Sequence, residues 1–290
     1  MSEPIIRRIL FALDAATDAP ASLDAAIDLA DRMHAELVGL FVEDMNLLRS
    51  AALPFVRQIN IGTSDWSAFS TETTERALRV HAEAARRQME DHARRRHVAF
   101  SFRIARGEVA AEIASAAEDV DLVVLVGLSR PIAGRIRLGS SARSAARHAR
   151  GPVLVMREGQ LRADRYLVAY DASAQSDKAL ALATLLARNT GLARNTGLAR
   201  GAGAEVTAAL LAGNETDAAA LERRAREIVG AMGAQVRIEI LGEPSLIDLC
   251  GFARRAGNAV LVVGADSPFA RGQAAEELMD RVSCPLVIVR

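Results

Sequence analysis

The sequence predicts an α/β protein of two tandem, doubly wound parallel five-stranded sheets, each covered by helices on both faces. Three pairs of segments, in the same order in each half, predict it. Arg8-Ile9-Leu10-Phe11-Ala12-Leu13-Asp14 is answered by Arg165-Tyr166-Leu167-Val168-Ala169-Tyr170-Asp171, each an apolar strand ending in Asp. Asp121-Leu122-Val123-Val124-Leu125-Val126-Gly127 is answered by Ala259-Val260-Leu261-Val262-Val263-Gly264, each ending in Gly. Gly151-Pro152-Val153-Leu154-Val155-Met156-Arg157 matches Cys284-Pro285-Leu286-Val287-Ile288-Val289-Arg290. Three matches in one order indicate a duplication.

The strand runs are continuously apolar rather than alternating, the pattern of parallel strands buried on both faces. In the first half they fall at 9–13, 36–42, 99–106, 122–126 and 153–156, with helices near 20–33, 72–96, 109–117 and 140–148. Asp18 can cap the first helix and Pro20 is tolerated in its first turn. The second half repeats the order with strands at 166–170, 205–211, 235–241, 259–263 and 286–289. The domains are then 1–158 and 165–290. The linker Glu158 to Asp164, seven residues, reaches at most about 25 Å. The closing strands Val153 to Met156 and Leu286 to Val289 are apolar edges that invite pairing.

Two departures break the symmetry. Asp14 and Gly127 are 113 residues apart, Asp171 and Gly264 only 93, and much of the excess is the insertion 44–70, which holds Trp66. Connections of that length are functional or mobile, so it is either a flap on its own domain or a recruiting surface for a protein partner. The second is Leu186-Ala187-Arg188-Asn189-Thr190-Gly191, copied as Leu192 to Gly197 and nearly again as Leu198 to Gly203. Asn-Thr-Gly favours turns and helix ends, so this repeat is expected to be a surface extension.

Composition narrows the function. Lys+Arg 36 against Asp+Glu 36 leaves no net charge to draw the chain to nucleic acid or anionic lipid. No apolar run approaches the roughly 20 residues that span a bilayer, and Met1 to Ile5 has no export pattern, so a cytoplasmic protein is expected. Cys250 and Cys284 lack metal or redox spacing and read as buried thiols. His34, His81, His92, His97 and His148 form no zinc motif and read as solvated or capping residues.

In such a sheet ligands bind beyond the carboxyl ends of the strands, where strand order reverses. Asp14 and Gly127 end two strands there. The stretch from Gly127 through Arg130 and Pro131 to Gly139-Ser140-Ser141 leads into a helix. Its glycines would admit a ligand and the helix's free amides attract anions, although simple capping by Ser140 and Ser141 explains the same residues. No nucleophile, acid–base pair or metal cluster stands nearby, so an enzyme is disfavoured, at most a slow ATPase.

These residues resemble the universal stress protein family, of adenine nucleotide alpha hydrolase-like fold, whose signature is Gly-x2-Gly-x9-Gly-Ser/Thr. The resemblance covers nearly the whole chain, twice, and includes Asp171-Ala172-Ser173. It implies a stress-response regulatory protein that binds ATP or ADP, with Mg2+ where ATP is bound. The closing strands resemble the edge strands through which domains of the family pair, so that meeting each other within one chain they would give an intramolecular pseudo-dimer that mimics the family's homodimer, and whole chains could pair further as a homodimer. It places Asp14 and Val42 near adenine, and Gly127, Gly139, Ser140 and Ser141 around ribose and phosphates. Arg130 stands where the second signature Gly is expected, and can block or neutralise phosphates. In the second half Gly264 and Gly272 are 8 residues apart and Gln273 replaces the Ser/Thr. That half is expected not to bind nucleotide, leaving Asp171, Ser173 and Ser176 as capping residues. The alternative is a scaffold that binds no nucleotide and acts by protein–protein interaction.

Overall fold

The structure, a computed structural model, describes residues 5–13, 20–53, 57–59, 66–68, 70–126, 140–156, 163–192 and 204–290. The first half contains β1 (Arg8–Leu13), α1 (Pro20–Met33), β2 (Glu36–Asp44), α2 (Met45–Ala51), β3 (Arg57–Ile59), β4 (Trp66–Ala68), α3 (Thr71–Arg95), β5 (Phe100–Gly107), α4 (Val109–Ala116), β6 (Leu122–Val126), α5 (Ser140–His148) and β7 (Val153–Met156). The second contains β8 (Arg165–Tyr170), α6 (Ala174–Leu192), β9 (Glu205–Leu210), α7 (Glu215–Ala231), β10 (Arg237–Ile240), α8 (Leu246–Arg255), β11 (Ala259–Gly264), α9 (Gly272–Arg281) and β12 (Leu286–Val289). Each half therefore alternates strand and helix, and its five main strands lie close to the stretches read from the sequence.

One ten-stranded sheet runs β10-β9-β8-β11-β12-β7-β6-β1-β2-β5. Each half takes the order third, second, first, fourth, fifth, with parallel neighbours throughout. The halves join antiparallel where β12 pairs with β7, Leu286 opposite Val155 and Ile288 opposite Val153. The closing strands thus satisfy one another's backbone groups, which an unpaired apolar edge would leave open to foreign strands.

Alternation along each strand feeds two cores. Ile9 and Phe11 enter one with Leu23 and Ile27 of α1, Met89 of α3, Leu180 of α6 and Val229 of α7. Leu10 and Ala12 enter the other with Ile113 of α4, Ala145 of α5, Leu249 of α8 and Leu278 of α9. Both layers are continuous across the β7/β12 seam. Cys284 is buried and Cys250 partly so. His34 and His97 take positive φ where α1 and α3 end, a helix-end role. His92 departs from the solvated or capping role: its Nδ1 meets Asp24 Oδ1 at 2.6 Å, tying α3 to α1.

The insertion begins with α2, capped by the Asp44 carboxylate, which accepts from Asn46 N. Leu48 packs with Phe41, Leu78 and Ala82, so α2 lies against its own half. Here β3 and β4 form an antiparallel pair.

The hexapeptide requires a correction. Its first copy is no surface extension but the end of α6, where Leu186 and Ala187 are buried. The two halves show why. In the first, Ala35 N donates to Ala30 O at the end of α1. In the second, Ala204 N donates to Ala187 O. The same closure spans five residues in one half and seventeen in the other. The excess of twelve is the length of two hexapeptides. Leu186 and Ala187 are therefore the counterparts of Leu29 and Ala30 in the core, and the duplicated length is accommodated after them. Residues 193–203, with the remaining copies, lie outside the described residues.

Candidate functional site

The amino ends of the strands are closed by polar contacts. Arg8 Nε meets Glu36 Oε2 at 3.1 Å, Ser101 Oγ donates to Glu36 Oε1, and the Asp121 carboxylate accepts from Arg7 N and Arg8 N. The Ser101 hydrogen bond is the largest influence on Glu36 and, with Arg8, holds its carboxyl below the usual range against the opposing effect of burial. Arg165 and Glu205 repeat this pair in the second half.

In the first half the reversal of strand order falls between β1 and β6, which are neighbours although α1 and β2 follow β1 directly. Such a switch point leaves a crevice between diverging connections. At the end of β2, Val42 is buried in the core shared with α4 and α5. The next residue, Glu43, is held by Arg106 of β5 at 2.7 Å, and Arg106 also meets Glu75 of α3 at 3.2 Å. This triad fixes β2, β5 and α3 relative to one another beside Val42. The chain re-enters helix at Ser140, so Ser140 and Ser141 take the first two helical positions of α5. Backbone N–H groups in a first helical turn have no partner within the helix and favour an anion.

Of the residues expected at the site, the structure thus gives Val42 its surroundings and Ser140 and Ser141 their backbone position. Val42 can offer a ligand little beyond main chain, because its side chain is buried. Asp14, Gly127, Arg130 and Gly139 lie outside the described residues.

In the second half the loop beyond β11 is packed by its own chain. Beyond Gly264, Ala265 N donates to Val289 O and Ser267 N to Gly264 O, and a single 3-10 turn, Pro268–Ala270, follows. That turn seats Phe269 in the core beside α8 and α9, 7% exposed. A Cβ on Gly264 would lie 2.9 Å from the backbone of Gln175 and Ser176, so this glycine serves close packing of α6 on β11. At the end of β8 the buried Tyr170 donates its hydroxyl to Asp177 Oδ1 at 2.7 Å, and Arg224 of α7 binds the other oxygen. Burial, reinforced by the Asp177 hydrogen bond, drives the Tyr170 pKa upward, so the phenol stays a donor. Asp171 accepts from Ser173 N, and Ser173 Oγ from Ser176 N. These are the capping roles expected of Asp171 and Ser173, and Ser176 turns its hydroxyl back to Ser173 O.

Sequence reasoning missed the Tyr170, Asp177 and Arg224 network and the seating of Phe269. The one local signal was Ser267-Pro268-Phe269, a turn followed by an aromatic inside a loop too short for a cradle. Among the described residues no group of three His, Cys, Asp or Glu could hold a metal ion, and no helix is long and apolar enough to cross a membrane.

Residues 6–157 match the model of the Universal stress protein family. The fold is similar to that of a universal stress protein from Archaeoglobus fulgidus DSM 4304, 18% identical, with a TM-score of 0.71 and 98% of each chain covered. It is also similar to a functionally unknown protein from Pseudomonas aeruginosa PAO1, 16% identical, with a TM-score of 0.60, covering 98% of this chain and 92% of that one. At these identities the likeness is one of fold. No curated protein sequence matches significantly.

Proposed function

The chain belongs to the universal stress protein family, and on that premise we propose that it is a cytoplasmic stress-response regulator holding one adenine nucleotide, ATP or ADP, in its first half. The observation that carries this reading is the start of α5 just beyond the β1/β6 switch point, beside a second half whose own loop beyond β11 is packed into the core. In the first half α5 starts beyond the switch point, and its first-turn N–H groups have no partner within the helix; in the second half the stretch between β11 and α9 carries the turn that seats Phe269 in the core. Among the described residues the main chain suits the group: first-turn amides of α5 suit phosphates, and main chain near the end of β2 suits a planar base. Asp14 and Val42 would then lie near adenine, with Gly127, Gly139, Ser140 and Ser141 around ribose and phosphates. Arg130 would neutralise phosphate charge, and Mg2+ would do the same when ATP is bound. Residues 1–158 form the binding domain in this reading and 165–290 the non-binding one.

Two measurements test it. Denaturing the purified protein should release adenine nucleotide detectable by chromatography. Calorimetric titration with ATP and magnesium should give about one site per chain, lost in Gly139→Asp, which sets bulk and negative charge where phosphate would sit, and kept in Gly272→Asp. The reverse pattern would put the site in the wrong half, and no binding by either route would sink the reading. A scaffold without nucleotide is favoured by one observation: Leu47 and Leu53, on and just after α2 in the insertion, are 37% and 43% exposed. Loss of a captured protein partner on deleting 44–70, with no bound nucleotide, would support it.

A further inference from the structure

Helix α5 carries the first-turn N–H groups assigned to phosphate in the proposed function, and its other end is held by the second half. Its buried anchors on its own sheet are Ala145 and Ala146, joined by Ala149 just beyond the helix, each contributing one methyl. From across the seam, Arg290, directly after β12, donates through Nη2 to Ala146 O at 2.6 Å and to Arg147 O at 2.9 Å. These carbonyls belong to the last turn of α5. A guanidinium there satisfies acceptors that the helix cannot and sits at the negative end of its dipole. Two ion pairs from α9 run alongside: Glu276 meets Arg147 at 2.7 Å and Asp280 meets Arg143 at 3.5 Å. Helix α5 is thus bound laterally by α9 and terminally by Arg290.

We propose that the second half regulates the first-half site by positioning α5, with Arg290 as the positioning residue. The proposal rests on the nucleotide reading above. A ligand at the amino end of α5 and Arg290 at its carboxyl end stabilise the same helix in the same place, so each favours the other. Such coupling is reciprocal: whatever loosens the seam weakens the ligand, and the ligand tightens the seam. Partial burial pushes the Arg290 pKa down, but a guanidinium stays charged at neutral pH, so the interaction with the helix end persists.

The test uses the full chain with Arg290→Gln, which keeps most of the side chain's length and removes its charge, Arg290→Lys, and Glu276→Gln. Amide hydrogen exchange is followed in α5 and, as an internal reference, in α4, without nucleotide. ATP affinity is then measured with magnesium. In Arg290→Gln, α5 should exchange roughly tenfold faster while α4 is unchanged, and ATP should bind roughly fivefold more weakly. Arg290→Lys should recover part of both, and Glu276→Gln should shift both in the same direction by less. Saturating ATP should restore α5 protection in Arg290→Gln. Unchanged α5 exchange in both Arg290→Gln and Glu276→Gln would refute the grip, whatever ATP does. Faster α5 exchange with unaltered ATP affinity would refute the regulation. Equal acceleration of α4 and α5 would mark a general loss of stability and overturn the specific role. A wild-type chain that binds no ATP would remove the nucleotide reading and the regulation together, while the exchange data alone would still decide whether Arg290 holds α5.

Discussion

The first strand of one half ends in Leu13, and the first strand of the other ends in Tyr170. The two occupy the same register, Leu13 opposite Phe41 and Tyr170 opposite Leu210, yet the phenol reaches Asp177 and through it Arg224. In the second half, then, a polar chain from strand to α6 to α7 closes one side of the carboxyl end, and Phe269 closes the other. On the reading proposed above, the comparison teaches that a duplicated crevice loses its use by being filled with core, not only by losing its glycines. Core residues convert a surface for ligands into stability, so under the proposed function the two halves should respond to mutation differently: binding in the first, folding in the second.

The largest effect should come from Phe269→Ala. Removing a buried aromatic leaves a cavity and costs about 3–5 kcal/mol, which a urea or guanidinium melt of the whole chain would register as an earlier midpoint. A loss below about 1 kcal/mol would mean that the turn is not packed and that the second crevice is not filled as described.

Asp177→Ala comes next. Asp177 is 2% exposed, whereas the Arg224 side chain is 52% exposed, so screening discounts the ion pair and the cost resides mainly in the stranded Tyr170 hydroxyl. Hydrogen bonds to a charged group and the desolvation of an unpaired donor suggest about 2–3 kcal/mol. Tyr170→Phe should cost less and should remove most of the further loss when the two are combined. Additive losses from the two substitutions would show that the network is not a unit.

How much of this was legible beforehand follows from what each feature depends on. The strand positions follow from local apolar runs and their repetition, and the β7/β12 seam from the likeness of the closing strands to those through which family domains pair; both survive in sequence. The two caps at Asp171 and Ser173 are local too, two and three residues from their partners. The Tyr170 network joins residues 7 and 47 positions from Asp177, and no local period marks an Asp that will be buried by α7. Arg290 looked like the tail of a repeated strand, and its role depends on a helix 143 residues away. At the candidate site, the sequence supplied residue types and the family pattern, while the described structure gives the position of Val42 and the start of α5.

A smaller effect sharpens the view that Asp171 and Ser173 are caps rather than remnants of a site. Ser173→Ala should cost about 1 kcal/mol, the usual loss of a helix cap. Burial pushes the Asp171 carboxyl up, but hydrogen bonds from Ser173, its side chain and its N–H, and from Ser176 outweigh it and hold the folded pKa below the ordinary 3.8. A lowered folded pKa means stability that is complete above the unfolded value and is lost as pH falls from about there through the folded one. The stability difference between wild type and Asp171→Asn should therefore be constant from neutral pH down to about 5 and shrink below the ordinary carboxylate value. A difference that persisted unchanged to pH 2 would show that the charge of Asp171 stabilises nothing.

The smallest effect tests the comparison of α1 with α6. Leu186 to Gly191 and Leu192 to Gly197 are identical, so deleting either gives the same chain. In that chain the buried Leu186 and Ala187 and their helical turn are still present, because the surviving copy takes their place. The closure by Ala204 N on Ala187 O would then span eleven residues rather than seventeen, still longer than the five that suffice at Ala30 and Ala35. Nothing in the core must move, and the expected change in a denaturant melt is within about 0.5 kcal/mol, as for a surface alteration. Removing two copies' worth of chain, Arg188 to Ala199, would bring the loop to the length found in the first half. It would leave Arg200-Gly201-Ala202-Gly203 to make the turn, where glycine meets the left-handed conformation that His34 adopts after α1. A loss of several kcal/mol in the shorter deletion would mean that the added copies pack against the second half, and that α6 has acquired a role which α1 does not have.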